Sequence, residues 1–275
     1  MTPAWVRRAP LAMLGLALGL LFLWLPVLLL AGYAFSADRI PFQWGGFSLR
    51  WFAARAAAQR LQEAALRSLR VALSAASLAV LLGGGIGWVL ARHGRFRGRA
   101  LFGALAGAPL VLPDVVLGLA LLLFFVLLQR LTGWPAERGT LTILLAHATI
   151  GAAYVAVLVQ ARLAGLAPEL EEAARDLGAR PAVAVLTVTL PLMAPSLVGG
   201  WLLAFTLSLD DVVVASFVSG PAGTTLPMQV FSMLRLGLTP QINALAVVIL
   251  ALALAVLGVG LAVLAWWNRR GAEGE

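Results

Sequence analysis

Three carboxylates stand inside long apolar runs, where an ionised group is costly. Asp114, Asp210 and Asp211 each interrupt a stretch of span length. A charge at the centre of a span costs about 3 kcal/mol or more, so each must face protein or water and is a functional candidate by default. Such groups can bind a cation, cap an interrupted helix, or serve as an intramembrane aspartyl pair. Gly200, Ala204, Ser208, Asp211 and Ala215 fall at helical spacing and form a stripe of small or polar residues. That stripe predicts a face turned to a bundle interior or a translocation path, with Ser208 and Asp211 on it. Asp210 falls about 100° further round the helix, on the side of Thr206 and Phe217. Asp114 follows Pro113, which leaves the carbonyl one turn earlier without its amide partner and predicts a local break. Three acids and no arginine in the run interiors favour a cationic substrate over an anionic one.

The elements that must position these groups follow from composition. The chain has 275 residues, of which 61% are hydrophobic and 12% charged, a balance that identifies an all-α polytopic membrane protein. Its 20 basic residues are all arginine, and the net charge of +8 reflects arginines beside spans, which set orientation. No basic, aromatic-interleaved polar surface for nucleic acid is present. Cysteine is absent, which excludes disulfides, thiolate metal sites and a cysteine nucleophile. His93 and His147 are far apart and lack ligand-spaced companions, so both read as structural residues rather than metal ligands.

Six spans are expected, at about 10–35, 68–91, 101–130, 140–163, 191–218 and 242–267. They make one transmembrane domain over 1–275. The first run is too long for a secretory signal, and Arg7-Arg8 reads as a topology signal. Trp44, Trp51 and Phe52 suit a membrane interface, 53–67 an amphipathic helix along the surface, and 226–236 a short re-entrant or interfacial helix. Gly83, Gly84, Gly85 and Gly87 predict close helix approach in the second span. An even span count puts both termini, the basic cluster 92–99 and the loop 165–190 on one side. The arginine bias of the short loops makes that side cytoplasmic.

The loop 165–190 is the most polar long stretch inside an otherwise mostly apolar chain. Pro168 suits the first helical position, and Glu169, Glu171 and Glu172 place negative charge at the positive end of a helix. Leu166, Leu170, Ala173, Ala174 and Leu177 share a face, Gly178 suits a left-handed cap, and Pro181 prevents continuation. Glu172-Ala173-Ala174, Gly178 and Val188-x-Leu190-Pro191 resemble the EAA loop of ABC-importer permeases, with Val188 where the family usually has Ile. The resemblance implies the type I permease fold and a cytoplasmic coupling helix that docks in a cleft of an ATPase subunit. It assigns that coupling to Glu172, Ala173, Ala174, Gly178, Leu190 and Pro191.

A narrower resemblance rests on three further runs. Phe205 through Pro221, Gly223-Thr224-Thr225-Leu226-Pro227-Met228 with Pro240-Gln241-Ile242-Asn243-Ala244-Leu245-Ala246, and Ala108 through Asp114 look like polyamine ABC-importer permeases, of the putrescine type more than the spermidine type. This implies an inner-membrane subunit that passes putrescine or a related polyamine from a periplasmic binding protein to the cytoplasm. Its expected partners are a second, different permease subunit, two ATPase subunits and membrane lipid. The chain lacks a Walker-type phosphate loop, so ATP hydrolysis falls to a partner and no enzyme activity or cofactor is expected. Asp211, Asp210, Asp114 and Ser208 are the candidate substrate path. A permease for another small solute shares every feature except the residues around Asp210-Asp211. An intramembrane aspartyl enzyme explains neither the loop 165–190 nor its spacing.

Overall fold

A computed structural model describes residues 4–254 apart from 41–42, 53–54, 95, 168, 222, 236–241, 249 and 252–253. Two compact units are present, one of residues 1–59 with 232–275 and one of residues 60–231. In the first, α1 (Ala4–Tyr33) is an apolar helix whose described leucines are largely exposed. Past it, Ser36 pairs with Phe47 in an isolated bridge. The Ser36 hydroxyl donates to the Gln43 carbonyl at 2.7 Å, and Trp51 Nε1 donates to the Ser36 carbonyl at 2.8 Å. Phe35 stacks on Phe47. Of the aromatics expected at an interface, Trp51 and Phe52, which packs on Phe35, close a small, hydrogen-bonded loop.

The second unit carries the functional residues. It contains α2 (Arg55–Arg92) from residue 60 onward, α3 (Arg99–Val111), α4 (Asp114–Thr132), α5 (Thr140–Ala164), α6 (Glu169–Asp176), α7 (Pro181–Ala184), α8 (Leu190–Asp210), α9 (Val213–Val218) and the start of α10 (Leu226–Arg235). Helix α5 is its axis, with residues such as Ile143, Ala146, Val155 and Val159 fully enclosed. Small residues let its neighbours come close. A side chain at Gly83 of α2 would collide with the Ala152 carbonyl of α5, and one at Gly87 would lie 2.5 Å from the Ala156 carbonyl. Gly151 meets Ala79 of α2 and Ala204 of α8, so three helices converge on a point where none has more than a methyl group. Without a hydrophobic force between helices in lipid, such close van der Waals contact is what holds them.

Several element boundaries differ from expectation for identifiable reasons. The stretch 101–130 is two helices, because Pro113 cannot supply an amide and Leu112 turns extended (φ −77°, ψ 137°). With 13 residues, α3 is too short to cross a bilayer. Pro191 does not begin its helix. Chain from Pro181 runs through a π-helical turn, Val185–Thr189, into α8. The wider turn accommodates the ring and missing amide of Pro191 without ending the helix. That helix stops at Asp210, short of the expected end at 218, and α9 is a separate piece. Among the described residues, five helices are long and apolar enough to cross a membrane: Ala12–Tyr33, Gln59–Arg92, Asp114–Thr132, Thr140–Ala164 and Pro181–Asp210. Residues 242–248 are helical, and most of the expected sixth span lies outside the described residues.

The glycine contacts give a direct test. Gly87→Val should lower the melting temperature of the detergent-purified protein by an amount equivalent to about 1–3 kcal/mol, since the α2–α5 backbones cannot separate freely. Gly85→Val should leave it unchanged, because nothing lies within 4 Å of a side chain there. Equal melting of the two variants would refute the packing.

Candidate functional site

The loop between α5 and α8 forms the expected helix and places its residues in two classes. Helix α6 ends in a Schellman cap: the Gly178 amide bonds the Arg175 carbonyl, the Ala179 amide bonds the Ala174 carbonyl, and Gly178 has φ +87°. A β-carbon at Gly178 would be strained in that conformation. Glu171 turns inward and is buried, with Oε1 accepting from Arg92 Nε of α2 at 2.9 Å. Leu177, by contrast, is 90% exposed, and Leu170, Glu172 and Ala173 are exposed beside it. Leu170, Ala173 and Leu177 thus face outward among charged residues, and the buried acid faces the bundle. Leu190 and Pro191 are not on α6 but at the π-turn junction, where they shape the return into α8. Pro168 lies outside the described residues.

The second candidate site is a cavity of about 400 Å³ where α4, α5, α8 and α9 meet. Asp114, Asp210, Asp211, Ser208 and His147 line it, together with apolar Ile150, Leu207 and Val212–Val214. All four residues of the expected substrate path are therefore brought together, although Asp114 is remote from the others in sequence. Asp210 is the last residue of α8 and keeps its helical place, while Asp211 leaves the helix in an extended conformation (φ −67°, ψ 128°). Both line the cavity.

The three carboxylates differ in what they are free to do. Asp211 Oδ2 accepts from the Ala215 amide at 2.7 Å and contacts His147 Nε2 at 3.1 Å, while Oδ1 accepts from the Val214 amide at 3.2 Å. It caps α9, supplying acceptors for amides that a helix start leaves bare. Among the described residues, no protein group bonds the carboxylates of Asp114 or Asp210, and both side chains are exposed. The stripe of small residues puts Asp211, rather than Asp210, on the face of the path. The geometry makes Asp211 the most engaged of the three and leaves the other two available.

His147, a structural residue on the sequence reading, holds the cavity wall together. It is buried, and its Nδ1 lies 2.6 Å from Ser208 Oγ, so it joins α5 to α8 and to the break between α8 and α9. A carboxylate only accepts, so the His147 Nε2–H donates to Asp211. The signal available in the sequence was a lone histidine in an apolar run; its partners are more than 60 positions away. Ser208, His147 and Asp211 are in the order of a hydrolase triad, yet Ser208 is buried within the last turns of α8 and the Asp211 carboxylate is already engaged by two α9 amides. The row is a structural tie.

A broken-helix membrane fold with an exposed short helix on its polar loop and an acid-lined cavity defines a transport permease. Residues 83–271 match the family "Binding-protein-dependent transport system inner membrane component", and the chain belongs to that family of multi-pass inner-membrane transport subunits. It is 50% identical over 245 residues to the putrescine transport system permease protein PotI of Escherichia coli (strain K12), covering 89% of this chain and 87% of that one. It is 38% identical to the spermidine/putrescine transport system permease protein PotC of Haemophilus influenzae, covering 83% and 86%. A permease chain in the crystal structure of a bacterial ABC transporter involved in the import of the acidic polysaccharide alginate has the same fold, with a TM-score of 0.69 at 15% identity over 95% of this chain and 98% of that one.

The division of labour among the acids can be measured. Asp211→Ala leaves two α9 amides and a histidine N–H without an acceptor, each worth about 1–3 kcal/mol, and should lower the melting temperature markedly. Asp114→Ala and Asp210→Ala should melt with the wild type. Indistinguishable melting of Asp211→Ala and Asp210→Ala would contradict the capping role.

Proposed function

We propose that this chain is the permease subunit of an ABC importer that carries a polyamine, putrescine foremost, from a periplasmic binding protein into the cytoplasm. The observation that carries the reading is the cavity. Among the described residues, two exposed carboxylates without protein partners stand beside apolar walls, and no arginine lines the space. A polyamine is a methylene chain with ammonium groups, and it needs acidic groups for its ends and apolar contact for its middle. In a site of low dielectric an ammonium–carboxylate contact is far stronger than in water. Asp114 and Asp210 are the substrate contacts in this account, and Asp211, Ser208 and His147 hold the cavity wall. The named substrates of the two similar permeases support the same assignment.

The chain is a transport subunit and not an enzyme. Two ATPase subunits hydrolyse ATP, a second permease subunit completes the path, and the whole of 1–275 acts as one transmembrane domain with both termini in the cytoplasm. Helix α6, with Glu172, Ala173, Ala174 and the Gly178 cap, docks on the ATPase, and Leu190-Pro191 fixes its return to the membrane. An importer for another small solute is the second reading, and the charge of the transported species separates the two. In proteoliposomes holding the whole complex with its binding protein, putrescine uptake should exceed that of sulfate or a neutral amino acid. In the Asp114→Asn/Asp210→Asn variant, uptake should fall about tenfold or more, the loss expected when charge-assisted contacts become neutral ones, with all subunits retained. Normal putrescine uptake by that variant, or preferred uptake of an anion, would overturn the assignment.

A further inference from the structure

Helix α2 is clamped at two levels, its C-terminal end and a point about a third of the way along. At one end, Arg92 is its last residue. Nε donates to Glu171 Oε1 of α6 at 2.9 Å and Nη1 to the Leu166 carbonyl at 3.3 Å, and both charged side chains are largely buried. The pair therefore joins α6 and the chain leading to it to the end of α2, where a cation also suits the helix C-terminus. At the other level, Arg67 Nη1 donates to the Thr224 carbonyl at 2.9 Å, and the Leu226 amide donates to Ser68 Oγ at 2.8 Å. The described residues held there lead from α9 to α10, and Gly220 and Gly223 lie against Arg138 and Gly139 at the start of α5. Roughly 37 Å of continuous helix separates the two clamps, at 1.5 Å per residue.

Between the clamps α2 cannot bend away from the core. Gly83 and Gly87 hold it against the α5 backbone, and Ala76 and Ala79 are buried with Val155 and Val159. Ala79 also abuts Gly151, a residue of the acid-lined cavity. One rigid element thus touches α6, the cavity wall and the segment beyond it. Neither Arg92 nor Glu171 belongs to the residues that the loop pattern singles out. The ion pair also does not need to contact an ATPase to matter.

We propose that α2 is the transmission rod of the permease, with Arg92–Glu171 as the joint that delivers displacement of α6 to it and Arg67 with Ser68 as the joint that delivers it to the described residues leading from α9 to α10. This rests on the reading of α6 as the ATPase-docking helix, and it adds a path that reading does not contain. Arg92, Glu171, Arg67 and Ser68 are positioning residues. They touch neither nucleotide nor the cavity.

The test uses the whole complex in proteoliposomes and reads subunit retention, ATP hydrolysis and substrate uptake together. Glu171→Gln keeps the shape and removes the charge. It should retain the ATPase subunits and continue to hydrolyse ATP while uptake per ATP falls about fivefold or more, the size of a typical coupling between distant sites. The exchanged pair Arg92→Glu/Glu171→Arg should recover coupling, which loss of folding would not allow. Arg67→Leu/Ser68→Ala, at the other joint of the rod, should show the same fall in uptake per ATP. Unchanged uptake per ATP in Glu171→Gln overturns the proposal. So does loss of ATPase subunits from that variant, which would make Glu171 a docking residue. Failure of the docking reading is seen separately: Leu177→Asp on the exposed face of α6 would then keep its ATPase subunits and normal coupling.

Discussion

A helix that stops inside a membrane leaves bare amides on the next helix, and no water is at hand to receive them. The central unit of this protein depends on how that problem is met after Asp210. Asp211 turns extended and places both carboxylate oxygens on the amides of α9, while His147 of α5 bonds the same carboxylate and Ser208 of α8. One side chain thereby satisfies the break, fixes the direction of α9 and ties the break to the buried axis of the unit. With Asp211 engaged in this way, its neighbour Asp210 and the sequence-distant Asp114 remain as the carboxylates of the cavity that a cation can reach.

The same economy of small residues and interruptions organises the rest. Gly83, Gly87 and Gly151 bring α2, α5 and α8 together so closely that the cavity wall and the long helix behind it form one packed body. Proline acts twice, and differently. Pro113 ends one helix and begins another at the cavity, whereas Pro191 is absorbed by a π turn and leaves its helix continuous. Large apolar side chains on α4 and α8, among them Leu123, Phe124, Val198 and Leu202, remain exposed. That is what lipid and neighbouring subunits require of a bundle whose interior is built from glycine and alanine.

Much of this was legible in the sequence because it depends on local chemistry. The helix 169–176, the left-handed cap at Gly178, the break at Pro113 and the buried stripe of Gly200, Ala204 and Ser208 each follow from residue type and spacing. The roles of Asp210 and Asp211 were not, since periodicity assumes an unbroken helix and the break falls between those two residues. His147 and Glu171 were also opaque. Their partners are separated from them by 61 to 79 positions, and nothing near either residue announces the pairing. The sixth span falls mainly outside the described residues, so its expectation stands on the apolar run alone.

The central claim is that the cavity between α4, α5, α8 and α9 is a cation path set by exposed carboxylates. The natural absence of cysteine allows it to be probed with one thiol, Leu207→Cys, on the cavity wall. The measurement compares the rates at which a cationic and an anionic thiol reagent of matched size modify this position in the purified complex. An acid-lined cleft should favour the cationic reagent by about tenfold or more, and saturating putrescine should slow that reagent. Equal rates, or a faster anionic reagent, would contradict the account.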